Sequence, residues 1–185
     1  MKTITYLGDE RMEKGAKANF EFNDRWLAWR STEDSIRSSL DLIGFQHTTG
    51  QLIAESVQTE LEYRKHIERI RRSIKALQSF PVPSTASSEC GPIYASLAGL
   101  SESIDTLDGL PSLASLSSGR KSDSLFINIE GRWERNFHAC IAAINAIRSE
   151  RMAIVGRNTD RFNQQLEEWQ ATEGAINAVS LVVVA

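Results

Sequence analysis

Three observations predict an all-α protein, an antiparallel four-helix bundle. Apolar residues recur every three or four positions over long stretches, as they do along one face of an α-helix. Glycine and proline interrupt these stretches, and no segment has the convincing alternation of a β-strand. The helical stretches are separated mostly by short connections, which favour antiparallel neighbours. At 185 residues the chain is long enough to bury one core.

The first predicted helix begins at Asn23 or Asp24, because either side chain can cap the free amide groups of a first turn. Gly44 is predicted to end it, since glycine commonly follows a last helical turn. Its apolar stripe consists of Trp26, Trp29, Ile36, Leu40 and Ile43. Residues 1–22 are mixed in character, and we predict an N-terminal arm or a short strand there.

The second predicted helix carries a heptad seam. The turn FQHTTG precedes the helix, and Thr48 or Thr49 is expected to cap it. The seam steps by four and three residues through Tyr63, Ile67, Ile70, Ile74 and Leu77. Pro81 and Pro83 are predicted to stop the helix, because proline lacks the amide hydrogen that a further turn requires.

The third and fourth predicted helices flank a long loop. Pro92 suits the first turn of the third helix, whose apolar positions are Ile93, Leu97, Leu100, Ile104 and Leu107. Residues 108–124 are rich in glycine and serine and predict a loop of a length that tends to be functional or disordered. The apolar positions of the fourth helix are Phe126, Ile129, Trp133, Phe137, Cys140, Ile144 and Ile147.

The C-terminal part is predicted to be a separate element. Gly156 is expected to end the fourth helix, so Phe162 and Trp169 belong to a short piece that folds back over the bundle. The predicted bundle domain therefore covers residues 23–172, and residues 173–185 form a flexible tail.

Composition argues against several classes of protein. The formal net charge of -3 disfavours a broad electrostatic grip on nucleic acid, but it is compatible with a groove that holds a few arginines. Cys90 and Cys140 lack CxxC spacing, and we expect free thiols in a reducing compartment. No secretory signal and no apolar run of the roughly 20 residues needed to span a membrane is present. A soluble intracellular protein is therefore expected.

Few residues have the spacing of a catalytic site. His47, His66 and His138 do not share the close spacing of a zinc or diiron site, so no metal and no cofactor is expected. The glycine-rich phosphate motifs and the nucleophile motif are absent too. Arg132 and His138 resemble the Rx4–6H motif of helical HEPN ribonucleases, in which histidine is the general base and arginine stabilises phosphate charge. A surface or packed histidine is the alternative.

The densest positive feature is the run YRKHIERIRRSIKAL in the second helix. Its cations are Arg64, Lys65, Arg69, Arg71, Arg72 and Lys75. The favoured interpretation is a solvated helix face, paired with Glu62 and Glu68 at helical spacing. A nucleic-acid surface is the alternative, although the run lacks the interleaved aromatic residues on which single-stranded bases stack.

Five segments occur in an order that carries a family resemblance. NDRWLAW precedes the first helix, GFQHTTGQLIAE joins the first two, and GPIYASLAGLSESID forms the third. A serine-rich loop then precedes the fourth helix, and TDRFNQQLEEW places a Phe and a Trp seven positions apart. Together, over residues 20–172, they resemble the coat proteins of rigid rod-shaped plant RNA viruses, the tobacco mosaic virus type and its furo-, tobra-, hordei- and benyvirus relatives.

The resemblance implies a non-enzymatic subunit that polymerises with its own copies into a helical rod around single-stranded genomic RNA. Its expected location is the virion and the host cytoplasm, without membrane association. Polar side chains and helix-start amides would bind the RNA backbone without reading bases. The implied RNA-binding residues are Gln46, Thr48, Thr49 and Gln51 in the turn, Arg132, Glu134 and Arg135 on the fourth helix, and Arg120 and Lys121 in the loop. Arg135 stands where the tobacco mosaic type has a carboxylate, and the arginines that follow the family's third helix are missing.

The resemblance also implies contacts between subunits. Trp26, Trp29, Phe162 and Trp169 would form an apolar cluster that bridges to the next copy, with ordinary core packing as the alternative. Glu60, Glu102, Asp105 and Asp108 would face like charges between stacked copies, which would raise their pKa values and make assembly depend on pH. A solvated surface is the favoured alternative for these carboxylates. The basic run would meet a neighbouring subunit rather than RNA.

Two other functions stay open at this point. One is a helical-bundle ribonuclease built on Arg132 and His138. The other is a cytosolic coiled-coil adaptor, which only the heptad seam supports.

Overall fold

Helices account for most of the described chain. The computed structural model describes residues 6–50, 57–80, 89–110 and 124–183, with side chains for Lys14, Lys17 and residues 24–46, 60–80, 89–110 and 127–172. These residues form four α-helices, namely α1 (Tyr6–Gly50), α2 (Val57–Gln78), α3 (Gly91–Gly109) and α4 (Ser124–Val183). None of the described residues lies in a β-strand. The prediction of an all-α four-helix bundle is confirmed.

The chain divides into two compact units. The larger unit comprises residues 28–151, and the smaller unit combines the segments up to Leu27 and from Met152 onward. Because α1 and α4 each cross this boundary, both helices contribute residues to both units.

The core of the larger unit is built from the apolar stripes that the sequence predicts. Branched aliphatic residues dominate it, with two tryptophans and two cysteines. The buried residues are Trp29, Ile36, Leu40 and Ile43 on α1, Ile67, Ile70, Ile74 and Leu77 on α2, Ile93, Leu97, Leu100, Ile104 and Leu107 on α3 with Cys90 and Leu110 beside its ends, and Ile129, Trp133, Cys140, Ile144 and Ile147 on α4. This burial is the main force that holds the four helical segments together.

Side-chain contacts fix the helices as antiparallel neighbours. Along α1 and α4 the contacts run in opposite residue order: Glu33 meets Arg151, Arg37 meets Asn145, and Gly44 lies beside Phe137. Between α1 and α2 the same reversal links Trp29 with Phe80 and Gln46 with Glu62. The carboxyl end of α1 and the amino ends of α2 and α4 therefore lie at the same end of the larger unit.

The smaller unit has an apolar face of its own on α4. Trp26 and Ile154 are buried in this unit, and Phe162, Leu166 and Trp169 are half-buried. The last three are spaced by four and three positions, which places them on one face of the helix.

The predicted bounds of the first helix are wrong. Residues 6–22 are helical rather than an arm or a strand, so neither Asn23 nor Asp24 caps the helix. The helix also continues past Gly44 and includes the predicted turn FQHTTG. A single glycine inside a helix costs only about 1 kcal/mol relative to alanine, and no proline follows here to end the helix.

The predicted break at Gly156 is wrong for the same reason. α4 passes through Gly156 without interruption, so Phe162 and Trp169 continue the fourth helix rather than forming a separate element that folds back. The predicted tail is helical as far as Val183.

The predicted start of the second helix is wrong as well, because Thr48 and Thr49 lie within α1 and α2 begins at Val57. The helix ends that follow agree with the prediction where they are described. α2 ends at Gln78, shortly before the two prolines, which lie outside the described residues. Pro92 stands in the first turn of α3. α3 ends at Gly109 and α4 begins at Ser124, so the predicted loop falls almost wholly outside the described residues. No helix in the described part of the chain has an apolar stretch able to span a membrane.

Candidate nucleic-acid interface

A buried ion pair fixes α1 against α4 in the larger unit. The Nη2 atom of Arg151 lies 2.9 Å from Oε2 of Glu33, and Arg151 Nε donates to Oε1 at 3.0 Å. The two side chains are only 5% and 4% exposed. Trp29 Nε1 donates to the same carboxylate at 3.1 Å. Since an unpartnered charge at this depth is very costly, the pair specifies one register of the two helices.

A second set of ion pairs joins α2 to α3. Arg71 Nη1 lies 2.7 Å from Oδ2 of Asp108, and Arg71 Nη2 lies 2.8 Å from Oδ1 of Asp105. Arg64 Nη1 donates to both the carboxylate and the backbone carbonyl of Asp108. We call these four residues the α2–α3 clamp. It shows that Arg64 and Arg71 hold α3 rather than forming part of a solvated helix face.

Within one chain the clamp surrounds Asp108 with positive charge. Burial acts to raise the pKa of this carboxyl, but the hydrogen bonds and positive charges of Arg64 and Arg71 outweigh burial and hold the pKa below its ordinary value. The raised pKa expected from like charges between stacked copies stays a prediction. Asp105 belongs to the same clamp, and Glu60 lies 3.7 Å from Arg64. Of the four candidate carboxylates, Glu102 is the exposed one on α3 with no ion pair among the described residues.

Three further cations of α2 line an open groove of about 710 Å³ between α2 and α1. The α2 side of this groove is basic and contains Lys65, Arg69 and Arg72, together with His66 and Ser73. The α1 side supplies the hydroxyl groups of Ser31, Thr32 and Ser35. We call this surface the α1–α2 groove. Sequence reasoning missed its α1 side, although hydroxyl residues at positions i, i+1 and i+4 share one helix face.

The groove contains one histidine, His66, whose pKa is lowered by its surroundings. Burial lowers the pKa of His66, and the charge of Arg69 lowers it further, while Glu62 opposes the change. The imidazole of His66 is therefore neutral at neutral pH and adds a ring N–H donor without adding charge.

The predicted RNA-binding residues fall into three groups. Arg132, Glu134 and Arg135 are exposed on α4, and the two arginines share a helix face because they are three positions apart. Gln46 is half-buried on α1, and its Nε2 donates to Oε2 of Glu62 at 3.4 Å. The side chains of the rest lie outside the described residues: Thr48, Thr49, Gln51, Arg120 and Lys121.

The ribonuclease pair is not assembled within one chain. Arg132 and His138 are both exposed on α4. Six positions along an α-helix place two side chains about 120° apart around the axis, so they point to different faces. In the described part of the chain no group of three or more His, Cys, Asp or Glu side chains could hold a metal ion.

Cys90 and Cys140 are buried thiols that belong to no disulfide. Burial raises the pKa of Cys140 to about 12, against opposing hydrogen bonds that include one with Ser103. Burial raises the pKa of Cys90 too. Both thiols are therefore protonated core residues rather than nucleophiles.

Comparison of the chain with protein-family models, with curated proteins and with solved structures finds no match.

Apolar side chains are exposed at one end of the larger unit. They lie near the carboxyl end of α1 and the amino ends of α2 and α4, which the antiparallel order brings together. These residues are Leu42 (44% exposed), Phe45 (65%), Leu61 (50%) and Ile127 (61%). Single exposed apolar residues are ordinary on protein surfaces, but several at one end of a bundle are typical of an interaction surface.

The predicted aromatic cluster is divided between the two units. Trp29 belongs to the core of the larger unit, where its ring packs edge-on against Phe80 at a centroid distance of 5.6 Å. Trp26, Phe162 and Trp169 belong to the smaller unit. The interpretation as ordinary core fits Trp29, whereas the half-buried Phe162 and Trp169 still offer surface to a neighbour.

Proposed function

We propose that this protein is the coat subunit of a rod-shaped RNA virus, which polymerises around single-stranded RNA and binds its backbone without reading bases. The order of the five sequence segments suggested this function. The all-α antiparallel bundle agrees with the fold that the resemblance implies.

The observation that most supports the proposal is the combination of exposed cations and exposed apolar residues at one end of the larger unit. The family resemblance assigns RNA to the turn after the first helix and to the early part of the fourth helix. In the larger unit the carboxyl end of α1 and the amino end of α4 lie together, and Arg132 and Arg135 are exposed nearby on α4. Exposed Phe45 and Ile127 lie at the same end. Cations for phosphate and apolar surface for a second copy are thus combined in one region.

The charge of the chain suits a subunit of this kind. Each copy in a polymer needs to neutralise only a few phosphates, so a net charge of -3 is compatible with RNA packaging. Contacts to phosphate carry no sequence information, which allows every position of a genome to be bound alike. Head-to-tail contacts between copies that do not close a ring generate an open helix.

The two alternative functions have less support. Arg132 and His138 are exposed on α4 at the spacing of the ribonuclease motif, and this spacing is the one feature that supports a ribonuclease. The heptad residues Ile67, Ile70 and Ile74 are buried in the chain's own core, so the seam is not available to pair with a partner helix. The adaptor hypothesis therefore loses the feature that supported it.

Nuclease protection tests the proposed function. Purified protein is mixed with a long single-stranded RNA of unrelated sequence and then exposed to a ribonuclease. Packaging predicts protection along the whole RNA, in proportion to the protein added and regardless of sequence. RNA that stays fully sensitive, or that the protein itself cleaves, would contradict the proposal.

A further inference from the structure

The α1–α2 groove contains cations that the clamp leaves unused. Lys65 and Arg69 are exposed, and neither has an ion-pair partner among the described residues. Arg72 lies 3.9 Å from Glu68 with both side chains well exposed, an arrangement that contributes little in water. Three cations are therefore available to a ligand in this groove, whereas Arg64 and Arg71 on the same helix are held by α3.

The opposite wall of the groove supplies neutral donors. Ser31 and Ser35 are one turn apart on α1, and Thr32 lies beside them. The hydroxyl of Thr32 contacts the backbone oxygen of Ala28 at 3.4 Å and, like the serine hydroxyls, can turn toward a bound oxygen. Hydroxyl groups combined with Lys and Arg are the usual protein partners of phosphate oxygens.

The spacing of the cations favours an extended ligand. Lys65, Arg69 and Arg72 are separated by four and three positions, so they form one row about 10 Å long on α2. A single phosphate group is too small to contact the whole row. Among the residues that line the groove, none is Phe, Tyr or Trp and His66 is the one aromatic ring, so the lining is dominated by cations and hydroxyl groups that suit a phosphate backbone.

We propose that the α1–α2 groove binds consecutive phosphates of single-stranded RNA, with Lys65, Arg69 and Arg72 supplying charge and Ser31, Thr32 and Ser35 supplying hydrogen bonds. The inference rests on the proposed function and deepens it, because it assigns RNA to part of the basic run, which the family resemblance alone would place against a neighbouring subunit.

The test compares two variants of the full chain that carry the same change of charge. Lys65→Gln/Arg69→Gln removes two groove cations, and Lys75→Gln/Arg148→Gln removes two exposed cations that do not line the groove. Glutamine is close to lysine and arginine in helix propensity, so both variants should fold. Binding of a short fluorescein-labelled oligouridylate is followed by fluorescence anisotropy over a range of salt concentrations. Thermal unfolding checks that the two variants are equally stable.

The groove variant should bind the oligouridylate about tenfold more weakly than the control at low salt. The slope of log affinity against log salt should fall in magnitude by about 1.4, because each lost phosphate contact on a single strand contributes about 0.7. Inorganic phosphate should compete only weakly. A groove that binds inorganic phosphate but not the oligouridylate would overturn the assignment to RNA.

The other outcomes separate this inference from the proposed function. If the wild type binds RNA and both variants bind it equally, the groove assignment is overturned and the proposed function stands. If the groove variant binds RNA normally but no longer self-associates, the groove takes carboxylates of a neighbouring copy instead. If the wild type binds no RNA, the proposed function itself is overturned.

Discussion

Arg151 and Glu33, which are 118 positions apart in the chain, form a buried ion pair in which both side chains are almost wholly inaccessible to solvent. Arg151→Met would leave the Glu33 carboxylate buried without its counter-charge. The hydrogen bond that Trp29 Nε1 donates to this carboxylate would remain. We expect a loss of about 3–5 kcal/mol in the free energy of unfolding, because a buried charge without its counter-charge is strongly destabilising. Urea denaturation measures this loss.

The double variant Glu33→Leu/Arg151→Met provides the control for this prediction. Replacing both charges with apolar residues removes the unpaired charge, so the double variant should be more stable than Arg151→Met alone. A double variant that loses the full sum of the two single losses would show that the pair acts through something other than mutual neutralisation.

The α2–α3 clamp should make stability depend on pH in the acid range. The pKa of Asp108 is lower in the folded protein than its ordinary value of 3.8, so the unfolded chain binds a proton more readily. The stabilisation is present above the unfolded pKa and is lost as the pH falls through the folded pKa. Urea midpoints between neutral pH and about pH 2 should therefore decrease less on acidification for Asp108→Asn than for the wild type.

Asp34→Asn is the matched control for Asp108→Asn. Asp34 lies 3.8 Å from Arg30, but both side chains are more than half exposed, so this pair should contribute little. The acid limb of the stability curve should be unchanged by Asp34→Asn. Equal acid limbs in the wild type and Asp108→Asn would contradict the role of the clamp.

Two glycines should respond in opposite directions to the same substitution. A Cβ atom at Gly44 would lie 2.8 Å from Cζ of Phe137, whose ring is stacked on Trp133 at a centroid distance of 4.9 Å. Because this stack hinders the ring from moving, Gly44→Ala should destabilise the protein by about 1–3 kcal/mol. Gly156 has nothing within 4 Å of a Cβ position, so Gly156→Ala should stabilise its helix by about 0.5–1 kcal/mol.

Thermal and urea unfolding of the two alanine variants check this pair of predictions. Adding Phe137→Leu to Gly44→Ala should recover part of the loss, because the smaller side chain leaves room for the methyl group. If Gly44→Ala stabilises the protein, the ring of Phe137 can move away from the new methyl group at little cost in free energy. A strongly destabilised Gly156→Ala protein would contradict the continuous fourth helix.

The cysteines should be unreactive in the folded protein. Burial raises the pKa of Cys140 to about 12, so its reactive thiolate is almost absent near pH 8. A chromogenic disulfide reagent should label neither cysteine at a useful rate under native conditions and both rapidly in urea. Labelling of the native protein at the rate of a free thiol would show that these positions open far more readily than the packed core implies.

The buried core residues can be predicted from the sequence, because apolar residues recur at steps of three and four along each helix. The steps of three and four between Ile67, Ile70, Ile74 and Leu77 identify the buried face of α2 without any knowledge of its partners. The position of Pro92 likewise marks the start of α3, because a helix accommodates proline without disruption only in its first turn.

Helix boundaries that depend on packing are not predictable in this way. Gly44 and Gly156 look like stop signals, but one glycine costs a helix only about 1 kcal/mol relative to alanine, and both helices continue through it. The helical start of α1 at Tyr6 falls where composition is mixed and no cap stands out.

Contacts between residues that are far apart in the sequence are the part of the site that could not be predicted. The cations of α2 appear as a single charged run, with carboxylates at helical spacing nearby. Arg64 and Arg71 bind α3, whereas Lys65 and Arg69 face α1. The two pairs can be told apart only when the positions of the neighbouring helices are known. The partnership of Arg151 with Glu33 depends in the same way on the register of α1 and α4.

Electron microscopy of the purified protein in negative stain, with and without a long single-stranded RNA, tests the central claim most directly. A coat subunit predicts straight rods of uniform width whose length is set by the length of the added RNA. Phe162→Ala or Trp169→Ala should then give fewer or shorter rods if these half-buried residues contact the next copy. Small dispersed particles that never form rods with RNA, under any condition in which the chain stays folded, would contradict the account.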